Sequence, residues 1–163
     1  MPKLQNDAAA LRRHLATLLR GDAAHAPLAQ SIGGLSLAAA GRKFRTAPYT
    51  AWQLLEHIRI AQWDILEFSR DPHHVSPDFP AGYWPATAAP PSAAALRRSR
   101  ATILADLEAM IALVLNPRRD LFAPLPHAPD KTLLREALAL ADHNAYHAGQ
   151  LVLARKLAGD WKS

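Results

Sequence analysis

The sequence predicts an all-α protein, a four-helix bundle, on three observations. Four stretches carry apolar residues at three- and four-residue spacing over several turns, the period of an amphipathic helix. No stretch reads convincingly as the alternating pattern of a half-buried strand. The connectors between the four are polar or rich in proline, as the loops of a bundle are.

The elements follow in chain order. Leu4, Ala8, Leu11, Leu15, Leu18 and Leu19 mark the first long helix, and Gly21 can close it because glycine accepts the left-handed backbone of a helix end. From Leu28 to Ala40 the pattern weakens and Gly33 and Gly34 interrupt it, so one or two short helical turns are expected there. Pro48 suits the first turn of a second long helix, which TAWQLLEHIRIAQWDILEFSR continues without a breaker. Asp71 to Pro91 then holds six prolines, and no regular element can run through it. About twenty extended residues reach roughly 60 Å, against roughly 30 Å for a helix of that length, so the second and third helices can run parallel. Ser92 is the expected N-cap of the third helix, whose apolar stripe is Leu96, Ile103, Leu107, Met110, Ile111 and Val114 and whose end falls at Asn116 and Pro117. A second proline-containing connector, through Pro129, leads to a fourth helix from about Lys131 to Leu157, with Gly159 beyond its end. The whole chain, 1–163, is expected to be one domain without an internal repeat.

Composition narrows the chemistry. The chain has no cysteine, so it holds neither a disulfide nor a thiolate metal site, and any sulfur nucleophile must come from another molecule. The first twenty residues place arginines inside the apolar pattern and are not expected to act as a signal peptide, and no stretch approaches the length of a membrane span. A cytoplasmic protein without a membrane partner is the expectation. The 19 Lys and Arg exceed the 14 Asp and Glu, but the densest basic groups, Arg97, Arg98 and Arg100, then Arg118 and Arg119, lack interleaved aromatics. They read as solvated helix faces, so no nucleic-acid partner is expected.

Three histidines carry the functional signal. At one hundred degrees per residue His147 projects close to Leu140 and Leu151 on the buried stripe of the fourth helix, with His143 one turn away at its edge. His57 lies beside the row Leu54, Ile58, Ala61, Ile65 and Phe68 of the second helix. Neutral imidazoles are common ligands of zinc, nickel and ferrous iron, and three of them leave a coordination position open for water or substrate. The competing reading is three core histidines, each satisfied separately, since burying an imidazole without a partner costs about 1 to 3 kcal/mol. The residues alone leave both open.

Other candidates surround this set. Asp64, seven residues after His57 on the same side, can orient a ligand histidine by accepting its second ring proton or can form a surface salt bridge. His14 and His25 are candidates to approach the site, and either, as a fourth ligand, would close the shell and favour a structural metal; both also fit partly buried, exposed or capping positions. Tyr83 and Trp84 can wall a pocket above the metal or fill a loop core. Trp52, Leu55, Trp63 and Leu66 form a second apolar face, expected to pack on the Leu28–Ala40 segment or on a second subunit.

LLEHIRIAQWD around His57 and ADHNAYHAGQLVLARKL around His143 and His147 resemble the DinB family, and the likeness extends over most of the chain, through PAGYWP to GQLVLARKLAG. Its most specific element is H-x-x-x-H followed by Gly149 and Gln150, with a single histidine far upstream. The resemblance implies an up-down-down-up bundle, a homodimer, and a divalent metal held by His57, His143 and His147. Such a metal, whether zinc, nickel, iron or manganese, supplies a nucleophile at neutral pH by activating water or a thiol. The resemblance further implies a metal-dependent enzyme acting on a small electrophilic substrate, an S-transferase with a low-molecular-weight thiol as cosubstrate or a related hydrolase. The alternative is a non-catalytic, stress-related bundle with a structural metal.

Overall fold

The computed structural model describes the backbone of residues 2–22 and 24–161 and the side chains from Asp7 onward, so the side chain of Leu4 lies outside the described residues. The fold is all-α. Helix α1 spans Pro2–Arg20, α2 Leu28–Ile32, α3 Leu37–Ala40, α4 Ala51–Arg70, α5 Ala93–Leu115 and α6 Leu133–Leu157. The four long helices form a ring in which α4 lies against both α5 and α6, and α1 lies against the same two on the opposite side.

Local chemistry sets the helix ends. Gly21 and Gly159 follow α1 and α6 with φ of +76° and +71°, backbone that a side chain would strain. Ser92 caps α5 by accepting from the Ala95 N–H, and Asn116 ends it, as the sequence predicts. The start of α4 differs from expectation. Pro48 stands before the helix, and Thr50 caps it in a reciprocal box with Gln53, satisfying two amide donors that a proline at the first turn would not. One strand pair also escapes the pattern: Pro124–Leu125 pairs antiparallel with Ala128–Thr132. Its three prolines and irregular burial remove the alternation by which a strand is read.

Apolar burial assembles the ring. Leu55, Ile58 and Leu66 of α4, Ile103, Met110, Ile111 and Val114 of α5, and Leu140 and Leu151 of α6 are almost fully buried in one cluster with Leu15 and Leu19 of α1. Leu18 departs from the expected stripe and stays exposed. The second apolar face of α4 divides. Trp52 is buried and shares an opening with Pro91, Ala95 and Ser99 at the start of α5, α3 of the Leu28–Ala40 segment also lies against α4, and Trp63 stays partly exposed against the ring of His74.

The long connector explains how α5 comes to start beside the start of α4. Leaving α4 at Asp71, it is pinned to α4 by His74 Nε2 on Asp64 Oδ1 at 2.8 Å, forms a single 3-10 turn at Ala81–Tyr83, and reaches Thr50, whose Oγ1 donates to Ala88 O at 2.7 Å. Trp52 Nε1 donates to Thr87 Oγ1 on the way. The chain therefore returns along α4 before α5 begins, which sets the two helices side by side in the same sense. In the middle of the bundle, fully buried Gln62 accepts from Asn144 Nδ2 at 2.8 Å and donates to Ile103 O, tying α4 to α6 and α5. Unpaired, these amides would each cost about 1 to 3 kcal/mol, so the network fixes the register in which α4 meets α6.

Arg155 is the other polar anchor. Only 4% exposed, it donates through Nη1 to Ser31 O at 2.8 Å and Gly33 O at 2.7 Å, carbonyls at the end of α2, and through Nη2 to Asp160 O, beyond the end of α6, at 2.9 Å. Arg155→Met is expected to lower unfolding free energy by about 3 kcal/mol, because several buried carbonyls lose a charged donor at once. Urea denaturation checks this; a loss below about 1 kcal/mol would mean that water or a rearranged loop replaces the guanidinium. Among the described residues no helix is long and apolar enough to cross a membrane.

Candidate metal centre

Helix α4 presents His57 and α6 presents His143 and His147 at one point inside the ring. His57 Nε2 stands 3.2 Å from His147 Nε2 and 3.1 Å from His143 Nε2. One ligand atom from each of the three lies within 4.8 Å of the other two, and among the described residues no fourth histidine, aspartate or glutamate joins them.

The outer ring atoms define what faces inward. His57 Nδ1 lies 2.8 Å from the Tyr83 carbonyl oxygen, and His147 Nδ1 lies 2.9 Å from Gln150 Oε1. Each of these oxygens can only accept, so each Nδ1 carries the ring proton and each Nε2 of the neutral imidazole turns a lone pair inward. Two lone pairs 3.2 Å apart repel each other unless a cation lies between them. Nitrogens bound to one divalent ion at about 2.0–2.1 Å stand about 2.8–3.4 Å apart for bond angles between a right angle and the tetrahedral one. The observed spacings fall within that range, so the residues fit a shared metal. His143 Nδ1 is buried without a hydrogen-bond partner.

A proton is a poor substitute for that cation. Burial is the largest influence on all three rings and holds each below the ordinary value of 6.5. The hydrogen bond to Tyr83 O partly opposes this at His57, and Gln150 partly opposes it at His147. His143, the most enclosed, is lowered to about 4, with charge on His147 and His57 adding to the effect of burial. The folded metal-free protein therefore binds fewer protons than the unfolded chain between about 4 and 6.5. The stability contributed by the neutral ring is complete above 6.5 and is lost as pH falls towards 4. Denaturant midpoints of metal-free protein are expected to fall over that interval, and to fall less in His143→Gln; parallel curves for the two would contradict the assignment.

Aromatic rings close one side of the centre. Trp84 lies flat on His57, with centroids 4.0 Å apart and planes within 2°, and Tyr49 stacks on the other face of Trp84 at 4.1 Å. Trp84 thus covers one face of His57 and also packs against the core cluster. Tyr83 contributes its carbonyl to the centre, while its hydroxyl donates to Asp64 Oδ2 at 2.6 Å; burial and this bond push the phenol up to about 12, so it stays a donor.

Asp64 requires correction. It accepts no proton from a ligand histidine: its two oxygens are occupied by His74 and Tyr83, 7% exposure leaves it a buried anchor of the connector, and the Tyr83 carbonyl orients His57 in its place. The proline-rich segment that Asp64 holds follows no helical period, so no spacing in the sequence reveals the pairing. His14 and His25 also stand apart. Both are exposed, and His25 Nδ1 meets the neighbouring Ala26 O at 3.0 Å. His73 is exposed and His127 bonds Phe68 O, away from the three. The roles of two contributors, both named in the sequence analysis, become visible in the structure. Gln150 lies three residues after His147 on the same helix face, a spacing that could have identified it. The Tyr83 contribution is a main-chain atom that any residue supplies.

No curated protein and no solved structure matches the chain. The profile of the DinB superfamily matches residues 5–151, a span that includes His57, His143 and His147 together with Tyr83, Trp84 and Gln150. With that coverage, an all-α fold and three converging histidines, the chain belongs to the DinB superfamily.

Proposed function

We propose that this protein is a metal-dependent enzyme acting on a small electrophilic substrate, a transferase using a low-molecular-weight thiol or a related hydrolase. The observation that carries this reading is the convergence of three imidazoles, two of them with Nε2 lone pairs turned inward, and, among the described residues, no fourth protein ligand to close the shell. A divalent cation held by His57, His143 and His147 would supply Lewis acidity and draw a coordinated thiol or water towards its ionised form near neutral pH.

The chain's own residues bind, orient and shield. Tyr83 O and Gln150 Oε1 fix the tautomers of His57 and His147, and partners of this kind are worth about 10- to 100-fold in metal affinity or activity. Trp84 keeps water from the face of His57 that it covers. Neither nearby carboxylate of α4 is free for proton transfer, since Glu56 pairs with Arg59 and Asp64 with His74 and Tyr83. Because the chain has no cysteine, a thiol nucleophile must arrive as cosubstrate.

The test is metal analysis followed by assay of the loaded protein with a panel of small thiols and an alkylating electrophile. Turnover that requires both metal and thiol is expected; thiol-independent hydrolysis would select the hydrolase variant. Full metal occupancy with no turnover under either condition would replace this reading with a bundle whose metal is structural.

A further inference from the structure

Next to the metal centre, between the loop before α4 and the end of α6, lies a cavity of about 190 Å³. Pro48, Tyr49, Leu54, Leu153 and Leu157 supply most of its apolar wall, and no charged side chain lines it. Two lining residues also belong to the metal centre's surroundings. Gln150 lines the cavity and holds His147, and Tyr49 lines it and stacks on Trp84, which covers His57.

We infer that this cavity binds the apolar part of an uncharged substrate, a phenyl ring or a short alkyl chain, with a hydrogen-bond acceptor at the end nearer the histidines. Size sets the first element, since an apolar cavity of about 150 Å³ holds benzene. The absence of charge sets the second, because a carboxylate or ammonium placed among these side chains would lose hydration without gaining a partner. Gln150 sets the third. Its Oε1 is committed to the His147 proton, so the amide group it can offer an occupant is Nε2–H, a donor that calls for a carbonyl or ether oxygen. Leu153 and Leu157, 59% and 50% exposed at the mouth, are the apolar surface that an occupant would cover.

This inference deepens the proposed function and rests on it for the direction in which the substrate points, but binding in the cavity needs no metal. Methyl and side-chain amide NMR spectra of the full chain, metal-free and zinc-loaded, are titrated with acetophenone, with benzoate as the charged counterpart. Acetophenone is expected to saturate with shifts at Leu54, Leu153, Leu157 and the Gln150 amide in both forms, and benzoate to bind at least tenfold more weakly. Leu153→Arg and Leu157→Arg, substitutions at exposed positions, are expected to weaken acetophenone at least tenfold without changing zinc content. Absence of saturable shifts, equal binding of benzoate, or unchanged affinity in both arginine variants would overturn the inference. Zinc content of the same samples separates the two ideas. A chain that binds acetophenone in this cavity but not zinc loses the metal reading alone, and one that holds zinc but gives no saturable shifts loses the cavity alone.

Discussion

His147→Ala is expected to purify folded and almost free of divalent metal, where the unaltered protein is expected to carry about one per chain. Dividing the roughly 10–16 kcal/mol of a four-ligand zinc site evenly gives about 2.5–4 kcal/mol per ligand, or roughly 70- to 900-fold in affinity. The loss should be read by competition with a chelator as well as by metal content. The bundle should survive, because His147 is only half-buried and the interior is held by Leu140, Leu151 and the Gln62–Asn144 pair. Equal metal in both proteins would remove His147 from the site.

Gln150→Leu is the next largest expected effect on metal binding. The substitution keeps the side chain's approximate size but deletes the acceptor that fixes His147 Nδ1 as the protonated nitrogen, so the ring can turn or take its other tautomer. Metal affinity is expected to fall about 10- to 100-fold, within the range that loss of a ligand's hydrogen-bond partner produces. Gln150→Glu, which restores an acceptor, is expected to retain or raise the affinity of the unaltered protein. If leucine and glutamate behave alike, Gln150 fills space beside His147 and does not position it.

Much of the architecture was legible because helices announce themselves through period and ends. The stripe Leu96, Ile103, Leu107, Met110, Ile111 and Val114 is buried as its spacing requires, and Ser92 and Asn116 stand where α5 begins and stops. The capping box of Thr50 and Gln53 was equally local, yet Pro48 offered a competing start signal two residues earlier. The strand pair at Pro124–Thr132 was hidden because its pairing is a main-chain event with little side-chain pattern.

The candidate site divides along the same line. The inward placement of His57, His143 and His147 was legible because helical geometry turns residues on a buried stripe towards the interior, and the family resemblance chose one shared site over three separate core histidines; the fold brings α4 and α6 together at matching heights. What supports them was only partly legible. Asp64 pairs with His74 and Tyr83 across a connector whose path no periodicity encodes, and Tyr83 serves His57 through a carbonyl. Trp84 left two alternatives open because a ring in a proline-rich loop can stack on the site or away from it; here it lies on His57 with Tyr49 behind it.

The central claim is that these imidazoles share one cation, and anomalous diffraction at the zinc edge from crystals grown with zinc tests it most directly. A single strong peak within about 2.0–2.2 Å of the Nε2 atoms of His57, His143 and His147 is expected. A peak elsewhere with none at this point, or the three Nε2 atoms each hydrogen-bonded to a separate partner, would contradict it.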